Sequence, residues 1–122
     1  MKYTKLGNSD LMVSRICMGC MGFGNPKAGM HSWTLPEEQS REILKYGLDR
    51  GINFYDTAMG YQGCTSEEYV GRAMRDFVKR EDVILASKFI PRTPEEIQQT
   101  WPSTRILYQV RPLDATAVSR IV

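Results

Sequence analysis

The pattern that most constrains the fold of this chain is an alternation of short apolar runs with longer amphipathic stretches. The apolar runs lie at residues 14–19, 52–56 and 82–88, and the amphipathic stretches lie at residues 34–51, 65–80 and 93–99. Before them, two short β-like runs flank the turn-forming letters GNSD, which indicate a hairpin. Strands that alternate with helices imply a parallel sheet with right-handed crossover connections. The sequence therefore predicts an α/β fold in which a hairpin precedes three β/α units.

Two parallel architectures are compatible with this order: a doubly wound sheet and the first part of a (β/α)₈ barrel. A doubly wound dinucleotide binder carries the spacing G-x-G-x-x-G directly after its first strand and before a helix. This chain has Gly19, Gly22 and Gly24, spaced G-x-x-G-x-G, and no helical pattern follows them directly. The glycines therefore favour a loop that turns sharply, or one that a ligand approaches closely, over a Rossmann unit.

Each helical stretch begins with the letters of a capping box, in which a threonine is followed three residues later by a glutamate. The three pairs are Thr34 with Glu37, Thr65 with Glu68, and Thr93 with Glu96. A glycine, Gly51, is placed to end the first helix. These signals predict where the helices begin and where the first of them stops.

Apolar spacing predicts which surfaces enter the core. Apolar or small residues recur at helical intervals, namely Ile43, Leu44, Gly47 and Leu48 on the first helix and Val70, Ala73, Met74 and Phe77 on the second. The run DVILASK is nearly continuous in apolar residues, which is typical of a parallel strand buried on both faces. The core is therefore predicted between these helix faces and the sheet.

Charge and hydropathy argue against several functional classes. The net charge of +2 is too small to indicate nucleic acid or an anionic membrane surface as a partner. No apolar run approaches the ~20 residues that a membrane span needs, and the N-terminus lacks the apolar region of a secretory signal. Three cysteines, an odd number, fit a reducing compartment. We therefore expect a cytoplasmic protein without a membrane or nucleic-acid partner.

Cys17 and Cys20 form a C-x-x-C, which we interpret as structural. A redox C-x-x-C opens a helix whose dipole lowers the thiol pKa, whereas glycines, an asparagine and a proline follow here. A zinc site would need two further ligands, and His31 is the only histidine in the chain. The sequence thus predicts no metal site, with one cysteine in a strand and one in a loop.

Three polar side chains follow the second and third predicted strands. Asp56 ends INFYD, Lys88 ends VILASK, and Tyr61 lies in the loop after Asp56. Active sites of parallel α/β folds gather where the strands end, so these side chains meet if the two strands are neighbours. An ammonium beside a phenol stabilises the phenolate, and a carboxylate keeps the ammonium charged and oriented. The group predicts a general acid that protonates a carbonyl oxygen while a hydride reaches the carbon.

Each of these residues also has a simpler interpretation when it is taken alone. An aspartate after a strand is most often a turn or cap residue. A loop tyrosine usually packs on the surface, and a lysine at a strand end is usually solvated. The catalytic interpretation therefore depends on the coincidence of all three at strand ends.

The letters INFYDTAMGY, SEEYVGRAM and VILASKF resemble the aldo-keto reductase family, and the resemblance covers roughly residues 1–99. It implies a (β/α)₈ barrel that binds NADPH and reduces aldehydes and ketones, as small-molecule substrates, to alcohols. By resemblance, Tyr61 matches the proton donor and Lys88 matches the residue that lowers the pKa of that donor. Asp56 matches the partner of the lysine, beside the nicotinamide ribose.

The resemblance also gives the glycine-containing loop a role. Gly19, Cys20 and Met21 match the family's loop after the first barrel strand, which lies near the nicotinamide. The cofactor-binding residues that the resemblance implies are therefore these three and Asp56.

The chain departs from the family pattern after about residue 99. The family has a histidine at the end of its fourth strand, and no matching run follows the third helical stretch. Residues 100–122 form a tail without resemblance, and a whole barrel takes ~250 residues. We therefore expect the N-terminal portion of a truncated barrel, with little reductase activity in these 122 residues alone. Two alternatives are a non-catalytic remnant and an interaction module similar to the potassium-channel β subunits.

Overall fold

The computed structural model of the chain describes residues 1–29 and 31–88. Its strands are β1 (Tyr3–Lys5), β2 (Met12–Ser14), β3 (Met18–Gly19), β4 (Phe54–Asp56) and β5 (Ile84–Ala86). Its helices are α1 (Glu37–Asp49), α2 (Ser66–Phe77) and a short 3₁₀ turn (Arg80–Asp82). The third predicted helix, with its Thr93–Glu96 box, and the tail at 100–122 lie outside the described residues.

The sheet confirms the predicted alternation of strands and helices. Strands β3, β4 and β5 form a parallel sheet in that order, with Gly19 opposite Asp56 and Asp56 opposite Ala86. The connections between these strands contain α1 and α2, which pack against each other. The first two strands form the predicted antiparallel hairpin. Because β4 and β5 are neighbours, their carboxyl ends lie side by side.

Asn53 connects the hairpin by hydrogen bonds to the amino end of β4, which is the end of the sheet far from Asp56 and Lys88. Its Oδ1 accepts a hydrogen bond from the Ser14 N–H at 2.7 Å, and its Nδ2 donates to the Met12 carbonyl at 3.0 Å. The Tyr3 hydroxyl donates to the Gly51 carbonyl at 2.9 Å, just before this strand. The hairpin therefore lies away from the carboxyl end of the strands, where the candidate site was predicted.

Gly51 ends α1 as predicted, through a Schellman arrangement. Its φ of 81° lies in the left-handed region that glycine adopts at least cost. The Gly51 N–H donates to the Leu48 carbonyl, and the Ile52 N–H donates to the Gly47 carbonyl. The chain turns at once into β4, which brings Asp56 to the rim of the sheet.

The predicted capping boxes of α1 and α2 are wrong, because neither helix has a side-chain cap at its first residue. Helix α1 begins after Pro36, two residues later than the predicted cap, Thr34. Thr65 does precede α2, but its hydroxyl donates to the Gln62 carbonyl and accepts from the Asn25 N–H. Both threonine hydroxyls are used between loops, so they are not available to the helix N–H groups.

The core lies between the helices and the sheet, with two exceptions to the predicted faces. Buried side chains include Leu44 and Tyr55. Ile43 is 40% exposed, and Phe77 is 37% exposed, with the Arg41 guanidinium 4.6 Å from its ring centroid. Both positions lie at the border of the apolar helix face, where spacing alone does not separate core from surface.

Strand β5 is half-buried, so the prediction of burial on both faces is wrong for the described residues. Leu85 packs against the core, while Ile84 and Ala86 project from the other face because side chains alternate along a strand. Neither α1 nor α2, the two α-helices in the described ranges, is long and apolar enough to cross a membrane.

Candidate active site

Asp56 and Lys88 meet at the carboxyl ends of β4 and β5. Asp56 is the last residue of β4, and Lys88 lies two residues beyond β5. The Lys88 Nζ lies 2.7 Å from Oδ1 and 2.6 Å from Oδ2 of Asp56, and it donates a third hydrogen bond to the Thr57 carbonyl at 3.0 Å. The expected meeting of these two charges at one rim is therefore confirmed.

Tyr61 stands over the same pair. The Lys88 Nζ lies 5.2 Å from the centroid of its ring, within the range of a cation–π contact. The tyrosine is half-buried in the loop between β4 and α2, where its N–H donates to the Ala58 carbonyl. The structure thus brings the phenol, the ammonium and the carboxylate together, as the strand positions predict.

The surroundings of Lys88 favour its charged form. Partial burial by itself would lower the pKa of the ammonium, but hydrogen bonding to the Asp56 carboxylate and interaction with the Tyr61 phenol outweigh burial and raise this pKa above the ordinary 10.5. Lysine therefore stays protonated beside the phenol over the whole neutral range. A fixed positive charge at this position stabilises negative charge on a neighbouring oxygen.

The predicted cofactor loop borders this group through its backbone. Gly19 lies opposite Asp56 across the sheet, and the Cys20 N–H donates to the Asp56 carbonyl at 2.8 Å. A Cβ at Gly19 would meet nothing within 4 Å, and Met21 is 36% exposed. Gly19 and Met21 therefore leave open space at the rim.

The Cys20 side chain points away from that space. It is fully buried in the core, and its Sγ contacts the Met18 carbonyl at 3.4 Å. Burial, with smaller contributions from Cys17 and Asp56, raises the pKa of the thiol to about 12. At the predicted position Cys20 can offer a ligand only its backbone, and its thiol is unreactive at neutral pH.

A buried polar network around the loop of Tyr61 was not predicted from the sequence. Gln62 is 1% exposed and bonds both Met21 and Thr34. The Ser66 hydroxyl, fully buried, donates to the Cys20 carbonyl at 2.7 Å. The partner of Ser66 lies 46 positions away in the chain, and Ser66 itself directly follows a threonine that looks like a helix cap. The residues around Ser66 therefore give no indication of this hydrogen bond.

No cluster suited to a metal lies in the described ranges: His, Cys, Asp and Glu side chains nowhere gather there in groups of three or more. Cys17, Cys20 and Cys64 are all free. His31 stacks on Trp33, with ring centroids 4.3 Å apart and the planes inclined by 7°. The C-x-x-C therefore has a buried thiol in the core and an exposed one beside it.

The sequence is similar to those of a known protein family and of several curated proteins. Residues 15–111 match the Aldo/keto reductase family, so the match extends past residue 99. The chain is 38% identical over 89 residues to the versiconal hemiacetal acetate reductase of Aspergillus parasiticus, which covers 72% of this chain and 25% of that protein. It is also 38% identical over 88 residues to the aldo-keto reductase YhdN of Bacillus subtilis, covering 72% and 25%. The chain thus spans about a quarter of the length of these curated relatives.

A solved structure shows the same arrangement of strands and helices. The holo form of the aldo-keto reductase AKR11C1 from Bacillus halodurans superimposes with a TM-score of 0.58 at 38% identity, over 78% of this chain and 28% of that one. Such neighbours are (β/α)₈ barrels, and this agreement decides for the barrel over the doubly wound sheet. The described residues correspond to the hairpin and the first β/α units of such a barrel.

Proposed function

Because the chain belongs to the aldo/keto reductase family, we propose that it acts as an NADPH-dependent oxidoreductase on aldehydes and ketones. The observation that carries the proposal is the Lys88 ammonium, which both carboxylate oxygens of Asp56 hold within 2.7 Å and which lies against the ring of Tyr61. A lysine whose ammonium group contacted only water would have no fixed position beside the phenol. Here the two strand ends fix it.

Each of the three side chains has a separate task in this proposal. The Tyr61 hydroxyl gives its proton to the carbonyl oxygen of the substrate. The Lys88 ammonium stabilises the negative charge left on the phenolic oxygen, and Asp56 keeps that ammonium protonated and in place. With a hydride added to the carbonyl carbon and this proton added to the oxygen, the product is an alcohol.

The rim beside these residues fits a nicotinamide cofactor. Gly19 has open space where a side chain would lie, Met21 is partly exposed, and Asp56 contributes a carboxylate at the same edge. We assign Gly19, Asp56, Met21 and the backbone of Cys20 to cofactor binding. NADPH, when bound, would supply the hydride.

The substrate class in this proposal is a small-molecule carbonyl compound. A relative 38% identical over 89 residues is named as a reductase of a hemiacetal acetate, a small organic molecule. We also propose a cytoplasmic location, because Cys17 and Cys64 are exposed free thiols and such thiols persist in a reducing compartment.

Titration of NADPH fluorescence, followed by NADPH consumption with a panel of aldehydes and ketones, tests the proposal. In a full-length barrel that contains these residues we expect binding and consumption, and loss of consumption in Lys88→Met, whereas the 122 residues alone should show little turnover. Lys45→Met is the matched control, because Lys45 is an exposed lysine of α1 that pairs with Asp49. In the full-length barrel, binding without turnover would favour an interaction module, and neither binding nor turnover would favour a non-catalytic remnant. Either result would overturn the proposed function.

A further inference from the structure

Gln62, which directly follows Tyr61, occupies an unusual position for a long polar side chain. It is 1% exposed, and its φ of 51° lies in the left-handed region that non-glycine residues seldom adopt. Such a conformation persists only where the surroundings hold it in place. The contacts of its side chain therefore indicate what the loop after Tyr61 is built to do.

The amide of Gln62 joins two distant points of the connection between β3 and α1. Its Nε2 donates to the Met21 carbonyl at 2.6 Å, and its Oε1 accepts from the Thr34 hydroxyl at 2.7 Å. The orientation of the amide follows from chemistry, because the Met21 carbonyl can only accept and must face the NH₂ group. Each end of the amide thus has one partner, one near the start and the other near the end of the connection between β3 and α1.

Two glycines show how closely this connection encloses Gln62. A Cβ at Gly24 would lie 2.4 Å from the Gln62 Cβ, and a Cβ at Gly29 would lie 2.5 Å from its Oε1. Real Cβ atoms do not approach other atoms so closely, so a side chain at either position would require Gln62 to shift. Gly24 is one of the three glycines predicted to allow a sharp turn or a close ligand approach, and what lies against it is the Gln62 side chain.

Thr65 at the end of the same loop and Ser66, the first residue of α2, reinforce the connection. The Thr65 hydroxyl accepts from the Asn25 N–H at 2.8 Å, and the Ser66 hydroxyl donates to the Cys20 carbonyl at 2.7 Å. Two successive carbonyls of the proposed cofactor loop, at Cys20 and Met21, are therefore held by the first residue of α2 and by the loop that carries Tyr61. Movement of either loop would break hydrogen bonds to buried groups.

We propose that Gln62 is a positioning residue, which keeps the Tyr61 phenol at a fixed distance and orientation from the Gly19–Met21 segment. The inference rests on the proposed function, since Tyr61 is there the proton donor and the segment lies beside the hydride donor. Gln62 itself touches neither substrate nor the reacting atoms in this assignment. Its contribution is to keep acid and hydride donor at the separation that simultaneous transfer requires.

The first test uses a full-length barrel that contains these residues. It compares Gln62→Met, which keeps the length but removes both hydrogen bonds, with Gln62→Glu, which places an acceptor against the Met21 carbonyl. We expect kcat to fall about 10- to 100-fold in both, as misplacement of a reacting group predicts, with little change in the KM for the carbonyl substrate. Gln39→Met, at an exposed position of α1, is the control and should match the wild type. Circular dichroism at the assay temperature confirms that the compared proteins are folded.

A double-mutant cycle separates positioning from general stability. If Gln62 acts through Tyr61, adding Gln62→Met to Tyr61→Phe lowers the residual rate no further. Unchanged kcat in both single variants, or a full additional loss in the double variant, would overturn the proposal while leaving the reductase function in place. Absence of turnover in the wild type would instead overturn the proposed function.

Amide hydrogen exchange tests the same proposal without an activity assay, and it can be used if a variant is too unstable for kinetics. In Gln62→Met, or in Thr34→Val, which removes the hydroxyl partner of the amide, we expect faster exchange at the N–H groups of residues 20–25 and 61–66. The N–H groups of the β1–β2 hairpin, at the far end of the sheet, provide the internal reference. Equal protection of both loops in variants and wild type would overturn the proposal.

Discussion

At the scale of single residues, position at a strand end explains most of the candidate site. Asp56 and Lys88 are both partly exposed, yet each is held by the other because their strands are hydrogen-bonded neighbours. Their meeting could be predicted, since parallel strands bring their carboxyl ends to one edge. The buried position and the contacts of Gln62 could not be predicted, because nothing in the neighbouring sequence distinguishes it from an ordinary polar loop residue.

Tyr61→Phe removes only the hydroxyl that the proposal treats as the acid. In a full-length barrel that contains these residues, we expect carbonyl reduction to fall at least about 100-fold, the lower range of general acid catalysis, while NADPH binding is spared. Tyr46→Phe is the control, because Tyr46 is an exposed tyrosine of α1. Steady-state rates and a fluorescence titration make the comparison, and turnover retained in Tyr61→Phe would remove this residue from the role of acid.

Lys88 should resist reagents that attack only neutral amines. Its pKa is raised, so acylation monitored by mass spectrometry should have its midpoint above pH 10.5. Asp56→Asn removes the carboxylate and should lower that midpoint. The raised pKa of Lys88 also contributes to the free energy of unfolding. This contribution is fully present below pH 10.5 and is lost as pH rises through the folded-state pKa of Lys88. A midpoint that Asp56→Asn leaves in place would contradict the ion pair.

At the scale of elements, side chains of α1 and α2 fix how the helices pack above the sheet. Arg72 of α2 donates Nε and Nη2 to the two carboxylate oxygens of Glu37 at 2.7 and 2.8 Å, a bidentate pair. Arg41 of α1 reaches Asp76 of α2 at 2.7 Å. Helix periodicity predicted that these helices exist and which faces are apolar, but the charged partners depend on how the helices cross.

Glu37→Gln should lower the free energy of unfolding at neutral pH by up to about 1 kcal/mol, the range for solvent-exposed pairs. Hydrogen bonding to Arg72 is the main reason that the pKa of Glu37 is lowered from 4.5. The contribution is therefore present above pH 4.5 and is lost as pH falls through the folded-state pKa.

Urea unfolding at neutral and at acid pH measures this difference. Asp49→Asn, which breaks the exposed Lys45–Asp49 pair within α1, serves as the control and should have a smaller effect. The difference between Glu37→Gln and the wild type should shrink at acid pH. A difference that grows as the pH falls would contradict the assignment.

At the scale of the whole molecule, the hairpin is held at one end of the parallel sheet and the candidate site lies at the other end. The hairpin is held to the amino end of the sheet by Asn53, and the polar network around Gln62 holds the loops at the carboxyl end. The family match and the solved barrel confirm the predicted fold class. The boundary predicted at residue 99 stays a prediction.

Asn53→Ala should loosen the hairpin from the sheet. It leaves the Ser14 N–H and the Met12 carbonyl without their partners, which we expect to cost about 1–3 kcal/mol of unfolding free energy. Amide exchange should accelerate at residues 12–14, while the carboxyl rim keeps its protection. Asn8→Ala, at an exposed position of the hairpin turn, is the control, and equal effects of the two variants would contradict the fastening role.

The sequence by itself determined the order of the elements within the described residues, the end of α1 at Gly51, and the positions of Asp56 and Lys88 at or just beyond strand ends. These follow from periodicity and turn chemistry, which act between residues close in the chain. Only the tertiary structure decided where the hydroxyls of Thr34, Thr65 and Ser66 go. Their partners include residues 28, 40 and 46 positions away. A buried polar group takes whichever partner the packed loops bring within reach, and local sequence does not specify that partner.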